Sequence, residues 1–464
     1  MRSGFIGLSG CVTPSEGPSQ TIEELLENNK TPAIKIPFEV VGSMIDNGTL
    51  PPEVTFTEEE RKLIHKIRYC HTAEGGYTVQ QCPECGAKKI MFHSCRDRHC
   101  PICQKTNKLL WEEKRNSEII DAPYGHLVFT VPHDLNGIIL ANKKVCLPII
   151  QQAAMDSVVE LARDQRFLGA TPGGYAVLHT WNQHMEPHFH VHIIVPYAGI
   201  TDDKKIVWRQ SGDFFIPFKA MSDLFRGKIM AQLEDLRLQP DKLKFIGRDR
   251  QYINAWSWAK LKEKMYKDTK HWVTYGKEAT PNAEAVTRYL AQYVNSICIS
   301  DSRIISATSS KVVFRARKDG DANQHESVTV DPVTFVKRYC SHILPAGLHK
   351  VRYFGWMSNS KKKASLELFK QAQSNVKFHE FCYGNGSTHD IILSEYGIDI
   401  DYCPYCKNGK MIVYAEHKGF FTFKPKKGKK AKSHGECPKP RIKPKPTKLG
   451  LGKSGTRKNK RKTA

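Results

Sequence analysis

Four histidines fall within nine residues, His184, His188, His190 and His192, in the run YAVLHTWNQHMEPHFHVHIIVP from Tyr175 to Pro196. Imidazole suits two chemistries, proton transfer near neutral pH and coordination of a divalent metal. The segment HFHVHIIVP is apolar and β-branched enough for a strand. Side chains on a strand repeat every two residues, so His188, His190 and His192 share one face. At a rise of about 3.3 Å per residue, His188 and His192 stand roughly 13 Å apart, too far to meet one ion through bonds of about 2.1 Å. Two adjacent histidines can share an ion, and a third ligand must come from elsewhere. His179, in the preceding strand-like run GGYAVLHTW, is the candidate. An antiparallel register that sets it opposite His190 or His192 gathers three imidazoles on one face, and a slip of one residue turns it away. Isolated histidines of this kind are otherwise ordinary sheet-surface residues. The expectation is a metal site of His179, His190 and His192.

A second constellation is CPECGAKKIMFHSCRDRHCPIC. Cys82-x-x-Cys85 and Cys100-x-x-Cys103 are two knuckles with fourteen residues between them, close to the spacing that holds tetrahedral zinc. Four thiolates leave no open position, so the expected role is structural. Cys70, His71, Cys95 and His99 are surplus ligands nearby. Cys403-x-x-Cys406 is a lone knuckle, with Cys382, Cys437 or His417 as conceivable partners.

The third stretch is HWVTYGKEATPNAEAVTRYLAQYVNSICISDSRI. Thr280 and Pro281 suit the N-cap and first position of a helix. On it Tyr289 and Tyr293 are i and i+4, so both phenols project from one face. Val286, Leu290 and Ile297 have compatible spacing, and pattern alone favours aromatic core packing.

The elements that must position these residues mix helix and strand. TEEERKLIHKIRYC has a capping Thr57, acids in its first turn, and Leu63, Ile64 and Ile67 at helical spacing. GHLVFTVPHDL reads as a strand, Lys143 to Asp164 as a long helix, and Met221 to Leu238 as another. Strands either side of a helix, with an antiparallel hairpin, indicate an α+β fold rather than a doubly wound parallel sheet.

The length of 464 residues allows a substantial core without disulfides. No run of eighteen apolar residues stands out, so no membrane span or membrane partner is expected. The N-terminus is a poor signal peptide. A cytoplasmic setting follows, in which the fourteen cysteines are thiols or zinc ligands. Net charge is +24, of which Lys424–Ala464 carries +16, with 17 basic residues against Glu436 alone. A polyanion, first of all nucleic acid, is the expected partner.

These motifs in this order resemble one family: SCRDRHCPIC, HLVFTVPHDLN, LHTWNQ followed by HFHVHIIVP, WVTYGK followed by RYLAQYVNSICISDSRI, and DPVTFVKRYCSHILPAGLHKVRYFGWM. The chain resembles the IS91-type transposases, a two-tyrosine branch of the HUH (histidine, hydrophobic, histidine) single-strand DNA endonucleases, from about Tyr69 to Met411. The resemblance implies an antiparallel-sheet HUH nuclease domain with flanking helices, preceded by a small zinc-binding module. It implies His190 and His192 as the HUH pair holding Mg²⁺ or Mn²⁺ with His179, Tyr289 and Tyr293 as nucleophiles forming a 5′-phosphotyrosine, and Gln183 and Lys277 as helpers. Structural Zn²⁺ would sit on Cys82, Cys85, Cys100 and Cys103. Partners would be single-stranded DNA at the element's ends and its target, in a bacterial cytoplasm and its nucleoid.

The expected layout is a mostly loose extension over 1–50 with one helix near Thr21 to Asn28, a helix and zinc module over 51–115, a nuclease over 116–330, a DNA-binding or buttressing region with the lone knuckle over 331–415, and a basic disordered tail over 416–464. The rival readings are a plasmid relaxase or rolling-circle replication initiator, which uses the same metal and tyrosine, and a non-catalytic zinc-finger DNA-binding protein.

Overall fold

The computed structural model describes residues 21–421 apart from 28, 30, 210–215, 268–271, 273, 281–293, 295–297, 319–323 and 377. Its strands, in chain order, are β1 (Tyr77–Gln81), β2 (Lys88–Phe92), β3 (Tyr124–Thr130), β4 (Thr171–Trp181), β5 (Pro187–Pro196), β6 (Ala198–Ile200), β7 (Ile206–Trp208), β8 (Thr274–Thr280), β9 (Ile304–Ala307), β10 (Val312–Arg317), β11 (His325–Val330), β12 (Val351–Gly355) and β13 (Ile412–His417). Every pairing among them is antiparallel. The fold is therefore α+β, as its sequence pattern implies.

A seven-stranded sheet runs β7-β6-β4-β5-β3-β8, with β12 also on β4. β6 pairs with Thr171 and Pro172, and β12 takes over from Gly173 to Val177. The glycine pair there is dictated by close approach: a Cβ on Gly173 would lie 2.5 Å from the Trp356 ring, and one on Gly174 would lie 2.3 Å from the Ile194 carbonyl.

Period-two alternation divides the sheet's two faces. Leu127, Phe129, Ala176, Leu178, Val191, Ile193 and Val195 point into the main core, against the helices Lys143–Arg163 and Phe218–Leu238. Each of these side chains larger than alanine, fully buried, contributes roughly 1.5–3 kcal/mol. The helix Lys143–Arg163 is long and apolar enough to cross a membrane by length and composition. Its buried residues, Leu147, Ile150, Ala154 and Val158 among them, fill this core instead. The opposite face carries Tyr124, Tyr175, Val177 and Ile194, clustered with Val294, Trp356 and Phe369.

The expectation of a loose extension fails for residues 31–50. The helix Ile36–Asp46 is ordered, and Phe38 meets Phe335 and Tyr339 edge-on at centroid distances of 6.4 and 5.0 Å. Ile34, Phe38 and Val41 form one apolar stripe, and Pro37 in the first turn starts the helix rather than breaking it. The following helix, Glu58–Tyr69, opens on the anticipated capping box between Thr57 and Glu60.

The chain's far end also departs from the expected layout. β13 pairs with β1, making a three-stranded sheet β13-β1-β2. Residues after the C-terminal knuckle are thus part of the N-terminal cysteine module, not of a separate C-terminal region.

Candidate metal centres

β5 lies between β4 and β3, and its register sets His179 opposite His190, Val177 opposite His192, and Thr130 opposite His190. That places His179, His190 and His192 on the face opposite the main core. One ligand nitrogen from each lies within 4.8 Å of the others. Ring centroids are 5.1, 4.4 and 4.9 Å apart for the pairs 179–190, 179–192 and 190–192. His188, although in period, turns its Nδ1 to His133 Nε2 at 3.2 Å, and His184 pairs with Glu326 at 2.8 Å.

Burial decides the charge of the trio. His179 is 2% and His192 7% exposed, and desolvation holds both imidazoles well below their ordinary value, reinforced by the neighbouring histidines. His190 is pushed down to about 3 for the same first reason. All three are neutral at physiological pH and keep a lone pair to offer. His190 Nδ1 donates to the His188 carbonyl at 3.1 Å, which leaves Nε2 as its lone-pair nitrogen.

Two neighbours were not foreseen. His126 on β3 stacks on His192 with Nε2 2.9 Å from its Nδ1; it sits in GHLVFT, where a polar residue on the outward face was the available signal. Lys350, just before β12, holds Nζ 4.6 Å from the centroid of Trp181, which itself stacks on His179. Burial brings that ammonium down to about 7. Gln183 contributes its main-chain carbonyl to Arg303. Lys277 pairs by backbone register with His126, its side chain lying outside the described residues, as Tyr289 and Tyr293 do.

The loop joining β4 to β5 is clamped by His342, whose Nδ1 accepts from Thr180 Oγ1 and whose Nε2 donates to the Met185 carbonyl, both at 3.1 Å. Burial pushes His342 down to about 4. Between that value and an unfolded value near 6.5, the unfolded chain binds a proton the native one does not, so its contribution to stability is lost as pH falls through this window. The loss should approach about 3 kcal/mol near pH 4. Urea unfolding at pH 7 and 4.5 checks this: His342→Asn should be weaker at pH 7 yet lose less on acidification, and parallel losses would refute it.

The expected quartet of Cys82, Cys85, Cys100 and Cys103 does not assemble. Cys100 and Cys103 meet Cys70 and Cys95, whereas Cys82 and Cys85 meet Cys403 and Cys406; in each group one Sγ per residue lies within 4.8 Å of the others. The intervening residues explain the split. Cys82 and Cys85 flank the β1–β2 turn, and β2 then carries the chain roughly 17 Å away at about 3.3 Å per residue. At that end it reaches Cys70, which precedes β1. Of the partners considered for the lone knuckle, Cys382 donates to Glu113 at 3.1 Å, His417 stacks on Tyr77, and Cys437 lies outside the described residues. His99, another surplus residue, hydrogen-bonds Asp97 and accepts from the Leu344 amide.

Comparison with known proteins bears on this arrangement. Residues 173–364 match the family model described as "Putative transposase", and residues 48–131 match "Transposase zinc-binding domain". "Putative transposase y4qJ" of Sinorhizobium fredii is 30% identical over 76% of this chain and 88% of its own length. The transposase for insertion sequence element IS801 of Pseudomonas savastanoi pv. phaseolicola is 25% identical over 65% of this chain and 70% of its own. A solved structure of TrwC complexed with a 27-mer DNA aligns at a TM-score of 0.21 and 13% identity, covering 36% of this chain and 71% of that one; the fold described above rests on this chain's own elements. With two transposase models matched in succession and a relative covered over nearly its full length, the chain belongs to the IS91-type transposases.

Proposed function

We propose that this transposase nicks and rejoins single-stranded DNA at its element's ends and at the target, with His179, His190 and His192 holding a divalent cation and Tyr289 and Tyr293 acting as nucleophiles. The observation that carries the reading is the convergence of three neutral imidazoles, two buried and His190 half-buried, from two paired strands. Such a donor set fits a cation, and nitrogen ligands favour Mn²⁺ over Mg²⁺. When bound, the ion supplies Lewis acidity toward a phosphodiester, offsetting charge on its non-bridging oxygens.

The chain's own groups do the rest. A phenol oxygen bonds to phosphorus as the P–O3′ bond breaks; the bonding pair leaves on the 3′ oxygen, which takes up a proton while the phenol gives one up. The resulting 5′-phosphotyrosine retains the phosphodiester energy, so attack by a 3′-hydroxyl reverses the step without ATP. With phenols at i and i+4, one tyrosine keeps an end while the other acts on a second strand. Val294, the residue after Tyr293, supports their reach: it is buried in the cluster with Tyr175, Val177 and Ile194, on the sheet face that carries the histidines.

His126 is a positioning residue in this reading. With His192 coordinating through Nε2, its Nδ1–H donates to His126 Nε2. Loss of such an outer partner typically costs about 10–100-fold in metal affinity. Titration calorimetry with Mn²⁺ should find that drop for His126→Phe, and an unchanged affinity would remove His126 from the site.

Zn²⁺ is assigned to Cys70, Cys95, Cys100 and Cys103, whose recorded Sγ separations of 3.3 Å (70–103) and 3.5 Å (95–103) approach the roughly 3.8 Å edge of a tetrahedron with bonds of about 2.3 Å. Lys35, buried beside Cys70 and Cys100, offsets the charge of four thiolates. The chain's +24 charge suits a phosphate backbone, in the cytoplasm and nucleoid of a bacterium.

The test is to incubate the full chain and Mn²⁺ with labelled single strands copied from the DNA flanking its gene. A denaturation-resistant product linked through the DNA 5′ end, absent with a chelator, is expected. No adduct on any flanking strand of either polarity would overturn the reading.

A further inference from the structure

The knuckle Cys403–Cys406 lies beyond both matched family regions, which end at residues 131 and 364. Its geometry nonetheless mirrors that of Cys82–Cys85. In the first knuckle the Gly86 amide donates to the Cys82 carbonyl at 2.9 Å; in the second the Lys407 amide donates to the Cys403 carbonyl at 3.1 Å. The residue after the second cysteine is left-handed in both, Gly86 at φ 74° and Lys407 at φ 60°.

The two knuckles face each other. Cys82 Sγ is 3.6 Å from Cys406 Sγ, and Cys85 Sγ is 3.6 Å from Cys403 Sγ. A disulfide requires about 2.05 Å, whereas zinc–sulfur bonds of about 2.3 Å set tetrahedral sulfurs roughly 3.8 Å apart. The approach leaves no room for a side chain at residue 409, where a Cβ would meet Cys82 Sγ at 2.4 Å.

We infer that Cys82, Cys85, Cys403 and Cys406 form a second structural zinc site that clasps the C-terminal strand to the N-terminal module, joining residues 318 and 324 positions apart. The site is independent of the nuclease chemistry. It fixes where β13 goes: the strand runs from the clasp along β1 to the other end of the module, where the Phe420 and Tyr69 rings lie tilted against each other with centroids 4.4 Å apart and the Phe421 amide donates to the Gly75 carbonyl at 2.9 Å. The basic run beginning at Lys424 therefore starts three residues from a point held against the module carrying the Cys70 cluster. The module is thus completed by a segment encoded after the nuclease.

Zinc content of the full chain, measured by elemental analysis, tests this. Two zinc ions per chain are expected. Cys403→Ser/Cys406→Ser and Cys82→Ser/Cys85→Ser should each leave one, their combination should still leave one, and adding Cys100→Ser/Cys103→Ser should leave none. In the Cys82→Ser/Cys85→Ser chain, hydrogen exchange over residues 412–417 should accelerate although the substitutions lie more than three hundred positions away. Because serine variants can misfold, Cys406→His supplies a second arm: it should keep two metals, and with Co²⁺ its charge-transfer absorption should fall as one of eight thiolates becomes an imidazole. Retention of two zinc ions by Cys403→Ser/Cys406→Ser, a wild-type chain with one zinc, or an unaltered Co²⁺ spectrum for Cys406→His would each overturn the proposal.

Discussion

A chain carrying both Tyr289→Phe and Tyr293→Phe should form no covalent product with single-stranded DNA, its cleavage rate falling on the order of 10⁴-fold or more, the scale seen when a nucleophile is removed. Phenylalanine preserves the ring and removes only its hydroxyl, so the loss isolates the oxygen that must bond to phosphorus. DNA affinity should stay within about threefold, because basic side chains along the phosphate backbone supply most of it. Each single variant should still cut, since the other phenol, four residues along the chain, is retained, but should fail to join two ends in one reaction. The measurement is denaturing electrophoresis of labelled protein–DNA adducts, alongside fluorescence anisotropy for binding. Normal cleavage by the double variant would end the tyrosine mechanism, leaving the zinc-module reading of a DNA-binding protein to be pursued instead.

The histidine trio was legible in sequence because a strand has one dominant period and a hairpin only a few registers. Once HFHVHIIVP is a strand, the face is settled, and His179 opposite His190 is one of two registers that work. His126 and Lys350 were hidden for the converse reason, since each arrives from a strand region far along the chain and has no spacing relation to the others. The thiols show how local spacing misleads. CxxC…CxxC predicts one site only if the residues between fold back on themselves, whereas here they are β2, long enough to carry the second knuckle to the far end of the hairpin. The sulfur of Cys406, which Cys82 meets instead, stands 324 positions away. Residues 31–50 belong to a stretch that mixes Ser, Gly, Pro and short polar runs without sustained periodicity, which hides that Ile34, Phe38 and Val41 are spaced for one buried face.

His190→Ala should abolish metal-dependent adduct formation while leaving the fold and single-strand binding intact, and the contrast with His188→Ala makes this more than a loss-of-function test. The two residues are neighbours in period on β5, share polarity and carry the same ring. Only His190 turns into the trio; His188 turns to His133. A Lewis acid at a phosphodiester is worth several kcal/mol of transition-state stabilisation, and with tenfold in rate per about 1.4 kcal/mol the rate should fall on the order of 10³-fold. His188→Ala should change it less than about threefold, the ordinary effect of a surface substitution. His179→Ala should match His190→Ala, since a two-imidazole remnant holds the ion poorly, and Mn²⁺ titration should weaken in parallel with rate. If the trio were only a packed sheet surface, both 190 and 188 variants would keep full, metal-independent activity. If His190 shared the ion with His188 rather than with His179, the His188→Ala rate would collapse and the His179→Ala rate would not, because a pair drawn from one strand needs no register with β4.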